Sequence, residues 1–234
     1  ILEKKKRNVR LQKQQYYKTL CEMISPSRTE LFEKVIEQRT DHLSIVLENI
    51  YQPQNASAVL RTAECLGVQQ IFVVENKNDY VLNPDVARGA NNWLDLHRFN
   101  RNENNTADCL SKLKADGYTL VATLPAEKDV SLPEIPIDKP LAIMFGTEKE
   151  GLSPLAKSMA DICMKIPMYG FTESYNISVS AAITMYSLTE RLRASEINYR
   201  LNEQRRLDTL IKWAKHSIRH SDKVEKEILK RLFE

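Results

Sequence analysis

The rhythm of apolar positions changes twice along the chain, near residue 43 and again near residue 200. After the Ser25-Pro26-Ser27 break, Leu31, Val35 and Ile36 recur at one-face helical spacing with charged residues between them. Short unbroken apolar runs then take over: LSIVLEN (43–49), QQIFVVE (69–75), TLVATL (119–124), LAIMFG (141–146) and ICMKIPM (162–168). Runs of this kind suit strands buried on both faces of a parallel sheet. Helical stretches at 55–66, 106–115, 153–160 and 176–200 lie between or after them. Alternating strand and helix predicts an α/β core with a mainly parallel sheet flanked by helices. From about 203 to 232 the helical period returns, with Leu207, Leu210, Ile211 and Ala214 as its apolar stripe. The pattern divides the chain into a helical N-terminal extension (1–42), an α/β domain (43–200) and a helical C-terminal extension (201–234).

Composition narrows the class. With 42% hydrophobic and 28% charged residues over 234 positions, the chain reads as a globular protein with a substantial core. No apolar run approaches the ~18–20 residues needed to cross a bilayer, and the opening ILEKKKRNVR is charged where a secretory signal would be apolar. The net charge of +3 is unevenly spread: residues 1–42 and 189–234 each carry +4, and residues 43–188 carry −5. Basic ends around a mildly acidic core suit contact with a polyanion, although Lys-rich amphipathic helices also arise simply to stay solvated. Cys21, Cys65, Cys109 and Cys163 are widely spaced and show no metal-ligand pattern, as expected of reduced thiols in a cytoplasmic protein. His216 and His220 stand four apart without a Cys or carboxylate partner, so no metal site is expected.

Neither GxGxxG after the first strand nor GxxxxGK[ST] occurs, which argues against a dinucleotide fold or a P-loop; no GxSxG elbow marks a hydrolase. Three other segments follow predicted strand ends, the edge where open α/β sheets bind ligands. In ENIYQPQNASAVLRTAECLGV (48–68), Asn55 starts a helix whose second turn carries Arg61. Such a helix start could hold a phosphate, or the two residues could be a cap and a surface Arg. In LAIMFGTEKEGLSPLA (141–156), Gly146 and Gly151 flank Glu148, forming either a loop that wraps an adenosine-like ligand or a structural turn. In ICMKIPMYGFTESYNISVSAAITMYSL (162–188), Ser174 and Asn176 place polar groups beside an apolar strand end, ahead of a helix of small residues.

Taken together and in this order, NASAVLRT, FGTEKEGLS and IPMYGFTESYNISVSAA resemble the three motifs of the SPOUT superfamily, in its TrmH (SpoU) branch. VARGANNW (86–93) is similar to the segment between them, and the resemblance spans roughly residues 43–195. It implies a C-terminal trefoil knot, a rare exception to unknotted topology, and S-adenosylmethionine bound in that region. Cofactor residues by motif position would be Thr123, Gly146, Gly151, Ile166, Met168, Tyr175, Asn176 and Ser178. Tyr175 stands where the family usually has Leu, a change a main-chain contact would survive. The resemblance also implies a homodimer in which the third-motif loop of one chain meets Arg61 of the other, and methyl transfer to an RNA ribose 2′-hydroxyl without a metal.

In such a site the matching Arg is often given the role of base. A guanidinium with a pKa above ~12 gives up its proton only at high cost, so Arg61 is better assigned to holding phosphate and stabilising the developing alkoxide. Asn55, Glu148, Ser174 and Asn176 would orient Arg61 and the ribose. The ribosomal-RNA branch typically carries a separate N-terminal α/β domain of about 75 residues or more. Short helical extensions resemble instead the enzymes that methylate guanosine 18 in the tRNA D-loop. The alternatives are the same chemistry on ribosomal RNA or another tRNA position, and an RNA-binding protein without catalysis.

Overall fold

The computed structural model describes residues 2–124 and 130–233. These fall into two compact units, one formed by residues 40–199 and one by residues up to 39 together with those from 200 onward.

The first unit is built on seven parallel strands: β1 (Thr40–Glu48), β2 (Val68–Val74), β3 (Asp95–Phe99), β4 (Thr119–Thr123), β5 (Val130–Ser131), β6 (Leu141–Phe145) and β7 (Ile162–Lys165). Their order across the sheet is β3-β2-β1-β6-β4-β7-β5, and every neighbouring pair is parallel. Five of these strands coincide with the apolar runs. The two edge strands do not: β3 is only partly covered and mixes Asp95, His97 and Arg98 with apolar residues, and β5 is two residues long. Helices α3 (Pro53–Leu66), α4 (Pro84–Ala87), α5 (Asn105–Ala115), α6 (Pro154–Met159) and α7 (Ile177–Arg193) provide the connections and cover.

Strand alternation explains why the central runs are apolar without interruption. Leu43, Ile45 and Leu47 of β1 point to one face, where they join Val59 and Leu60 of α3 and Met185 and Leu188 of α7. Val46 points to the other, against Met144 of β6, Leu110 and Leu113 of α5 and Ala156 of α6. Both faces are covered, and the few polar residues the central strands hold, such as Ser44 and Glu48 of β1, are buried with them.

Two boundaries differ from expectation. Helix α3 begins at Pro53 rather than Asn55, because a fixed φ suits proline to the first helical turn; Asn55 is thereby placed inside the helix with its amide free to reach outward. Helix α7 ends at Arg193, well short of residue 200.

The second unit contains α1 (Leu2–Cys21), α2 (Pro26–Ile36), α8 (Glu203–Ser217) and α9 (Ser221–Phe233). The ends treated separately in the sequence pack here on each other, α8 meeting both α1 and α2. Its centre is Trp213, whose ring lies 5.6 Å from that of Phe32 and under the Arg39 guanidinium. Phe32 and Ile36 are the buried positions of α2, with Leu31 half exposed, so the inward face is shifted one residue from the stripe read in the sequence. The C-terminal helical period is interrupted at 218–220, where His220 has a φ of 56°, which separates His216 and His220. Ion pairs lace the surface of this unit: Lys13 with Asp208, Arg206 with Glu33 and Glu37, and Lys215 with Glu225.

Candidate functional site

Because the strands are parallel, their carboxyl ends share one edge, and the three motif loops leave from it. The loop after β6 is the tightest. Thr147 and Gly151 exchange both backbone hydrogen bonds at 3.0 Å, and Thr147 Oγ1 accepts the Glu150 amide. A Cβ on Gly146 would lie 2.1 Å from the Gly151 carbonyl carbon, so no side chain fits there without moving backbone. The crowding at Gly146 is thus an approach of the chain to itself. Gly151 closes the turn with a φ of 66°.

That turn presents Glu148 to the other two loops. Asn55 Nδ2 donates to Glu148 Oε1 at 2.6 Å, and Asn176 Nδ2 donates to the same oxygen at 3.0 Å. Asn176 Nδ2 also lies 3.3 Å from Asn55 Oδ1, and Asn55 Nδ2 reaches Gln52 Oε1 at 2.9 Å. Asn176 caps α7, its Oδ1 accepting from the Ser178 amide and hydroxyl at 2.8 and 2.6 Å. One carboxylate therefore ties together residues from three segments separated by up to 121 positions.

Behind this triad lies a pocket of about 550 Å³ across the ends of β4, β6 and β7. Thr123, Gly146, Glu148, Gly151, Ile166, Met168, Ser174, Tyr175 and Asn176 line it. Ser178 does not; it acts on Asn176. Asn55 stands outside the pocket and reaches it through Glu148. Arg61 is not brought in at all: it lies on the exposed face of α3, without a hydrogen bond or ion pair to another described residue. Sequence reasoning missed Leu124, Lys157 and Glu173 at the pocket wall, although Leu124 ends the TLVATL run and Glu173 lies within the third motif.

It also missed Glu48, whose signal was present as a carboxylate ending an apolar run. Glu48 is 2% exposed and accepts from Thr106 Oγ1 at 2.6 Å and from the Ser153 amide and hydroxyl at 2.8 Å. It fastens the start of α6, and so the far end of the Glu148 turn, to β1. Burial, with the Glu48 charge nearby, pushes the Cys109 thiol up to about 12, so it offers no nucleophile near neutral pH. One strand over, burial would raise the Glu75 carboxyl, but hydrogen bonds from Arg98 and the Tyr80 amide, with the Arg98 charge, outweigh it and hold it below its ordinary value. Among the described residues no group of His, Cys, Asp and Glu is arranged to hold a metal ion, and no helix is long and apolar enough to cross a membrane.

A parallel sheet with a small-molecule pocket and a polar triad at its carboxyl edge is the frame of a known enzyme class. The chain belongs to the SpoU rRNA Methylase family, whose model matches residues 42–186. Within it, the chain is similar to the tRNA (guanosine(18)-2′-O)-methyltransferase of Borreliella burgdorferi, 43% identical over 206 residues, covering 88% of this chain and 93% of that one. The enzyme of the same name from Thermus thermophilus is 33% identical over 169 residues, covering 72% of this chain and 85% of that one. The crystal structure of the A. aeolicus TrmH/SpoU tRNA modifying enzyme superposes with a TM-score of 0.73 at 26% identity, over 82% of this chain and 98% of that one.

Proposed function

We propose that this chain transfers a methyl group from S-adenosylmethionine to the ribose 2′-hydroxyl of guanosine 18 in tRNA. The observation that carries the proposal is the Asn55–Glu148–Asn176 triad at the mouth of the 550 Å³ pocket. Relatives matched over most of their length and named for this reaction support the choice of substrate.

The pocket suits the cofactor on its own chemistry. Its volume falls in the ~300–1,000 Å³ range of small-molecule sites. Leu124, Phe145, Ile166 and Met168 supply apolar walls for an adenine, and Glu148 and Glu173 supply negative charge for a sulfonium and an ammonium group. When bound, S-adenosylmethionine supplies an electrophilic methyl group. The protein's part is positioning, which accounts for much of the rate in such a transfer. Glu148, held by both asparagines, and Ser174 orient the ribose hydroxyl. Arg61 grips the adjoining phosphate and stabilises charge on the 2′-oxygen.

Arg61 lies outside the pocket of its own chain, so a second copy is the natural source of that guanidinium. Helices α3 and α7 pack together, and α7 exposes Val179 and Tyr186, an apolar face that a two-fold partner would cover. A C-terminal trefoil knot, cytoplasmic action, tRNA contact through the basic 1–42 and 201–234 extensions, and a catalytic domain at 43–200 complete this reading.

The test is methyl transfer from tritiated S-adenosylmethionine to separate tRNA and ribosomal-RNA transcripts, followed by mapping of the labelled ribose. Label at guanosine 18 of tRNA is expected. Label confined to ribosomal RNA would overturn the substrate, and absence of cofactor binding would leave an RNA-binding protein without catalysis.

A further inference from the structure

The cofactor pocket occupies the ends of β4, β6 and β7, but the sheet reverses its winding elsewhere. From β1 the chain builds outward through β2 and β3 on one side, while β6, β4, β7 and β5 lie on the other. The switch point therefore falls between β1 and β6, where parallel sheets open a crevice. A second cleft of about 430 Å³ sits there, lined by Tyr51 and Gln52 after β1, Lys77 and Asn78 after β2, and Glu148 and Lys149 after β6. It shares Glu148 with the cofactor pocket and has Asn55 in its own wall, so the triad is the partition between two chambers. A third, more open hollow of about 820 Å³ continues outward past Tyr51, Lys77 and Val81.

We infer that the cleft at the β1–β6 switch receives the acceptor nucleoside, with its base stacked on Tyr51 and a second flanking phosphate, distinct from the one assigned to Arg61, held by Lys77. The assignment rests on the 2′-O-methyltransferase reading and names the substrate side of that same site. Its chemistry is complementary to one unstacked nucleotide. Tyr51 is 76% exposed, a large aromatic face in water at the rim of a polar cleft. Stacking on such a face is tolerant of sequence and suits a base drawn out of a loop. Among the described residues Lys77 Nζ pairs with Glu150, 2.9 Å away and equally exposed, a partner that a phosphate can replace. Gln52 and Asn78 add amide groups that can meet a base edge.

The rim is held in place before any ligand arrives. Asn49 adopts a φ of 55°, and its Oδ1 accepts the amides of Asn76 and Lys77 at 2.8 and 3.0 Å. Asn78 Nδ2 returns a bond to the Asn49 carbonyl at 2.8 Å. The turn carrying Tyr51 is thus tied to the turn carrying Lys77, and the spacing between stacking face and cation is set by backbone. The open hollow beyond leaves room for the flanking strand.

Steady-state methyl transfer to a tRNA transcript tests this, with Tyr51→Ala, Tyr51→Phe, Lys77→Gln and Lys77→Arg compared with wild type. Cofactor binding by calorimetry and thermal unfolding are measured alongside. Tyr51→Ala should raise KM for tRNA about tenfold and Tyr51→Phe should restore it, with the cofactor Kd within about twofold of wild type in both. Lys77→Gln should raise KM by a smaller factor that shrinks with added salt, and Lys77→Arg should recover most of it. Wild-type transfer to tRNA with Tyr51→Ala and Lys77→Gln unchanged in KM and kcat overturns the assignment alone. A wild type that transfers no methyl to tRNA overturns the functional reading and this assignment together.

Discussion

The two faces of α3 carry the two residues that most define the first motif, and they could hardly be treated more differently. Asn55 is buried, and its amide is engaged by Gln52, Glu148 and Asn176. Arg61, less than two turns on, projects into solvent with no partner among the described residues. A finished hydrogen-bond network holds a shape; an exposed, unengaged guanidinium does nothing for the fold that holds it. The contrast teaches that one motif can serve two purposes: Asn55 holds the geometry of the cleft, and Arg61 is left available for the charge-stabilising role proposed for it.

Substitution at Arg61 should break that comparison most sharply. Arg61→Ala removes a donor to developing charge, and kcat for tRNA methylation should fall roughly 10²- to 10³-fold. Thermal stability should stay within about 0.5 kcal/mol of wild type, since the side chain is exposed and makes no hydrogen bond or ion pair to a described residue. Near-normal turnover would remove Arg61 from the reaction. Asn55→Ala should do both kinds of damage at smaller scale. It leaves Glu148 with Asn176 alone and the Gln52 carbonyl without its donor, at a cost of about 1–2 kcal/mol in denaturant unfolding. Turnover should drop roughly tenfold or more because the partition between the chambers loosens. A variant of full stability and low activity would mean that Asn55 acts on substrate rather than on Glu148.

How far the sequence revealed this depends on what each residue had to satisfy. Central strands were legible because burial on both faces forces continuous apolar runs; β3 was not, because an edge strand tolerates Asp95, His97 and Arg98 on its partly open surface. Glycines 146 and 151 were legible as a special loop, but the choice between a ligand wrap and a turn was not; it is decided by a site that admits no Cβ at one and a positive φ at the other. The convergence of Asn55, Glu148 and Asn176 on one oxygen was not, because it depends on which strands are neighbours, and periodicity carries no strand order. The charged extensions carried a different kind of signal. Their net excess could be counted, but not which basic residues carry it: Lys13, Arg206 and Lys215 face acidic partners within their own helical unit, so the excess falls to other side chains.

The smallest expected effect supplies the control that the comparison needs, a buried polar brace that touches neither chamber's partition. Glu75 is buried at the end of β2, where Arg98 clasps both its oxygens at 2.8 and 2.7 Å and the Tyr80 amide donates at 2.8 Å. Its carboxyl is held below the ordinary 4.5. A carboxylate depressed on folding adds stability that is fully present above its unfolded value and is lost as pH falls through its folded one. Because Arg98 is nearly half exposed, solvent screens the pair, and Glu75→Gln should cost only about 1 kcal/mol at neutral pH. That difference from wild type should begin to shrink below pH 4.5 and vanish at lower pH, with kcat at neutral pH unchanged. Chemical unfolding of both proteins across pH 3 to 7 reads this directly. A gap that stayed constant through the acid range would mean that the amide disturbs packing rather than charge, and Glu75 would then belong with Asn55 as a shape-holding residue rather than as a titrating one.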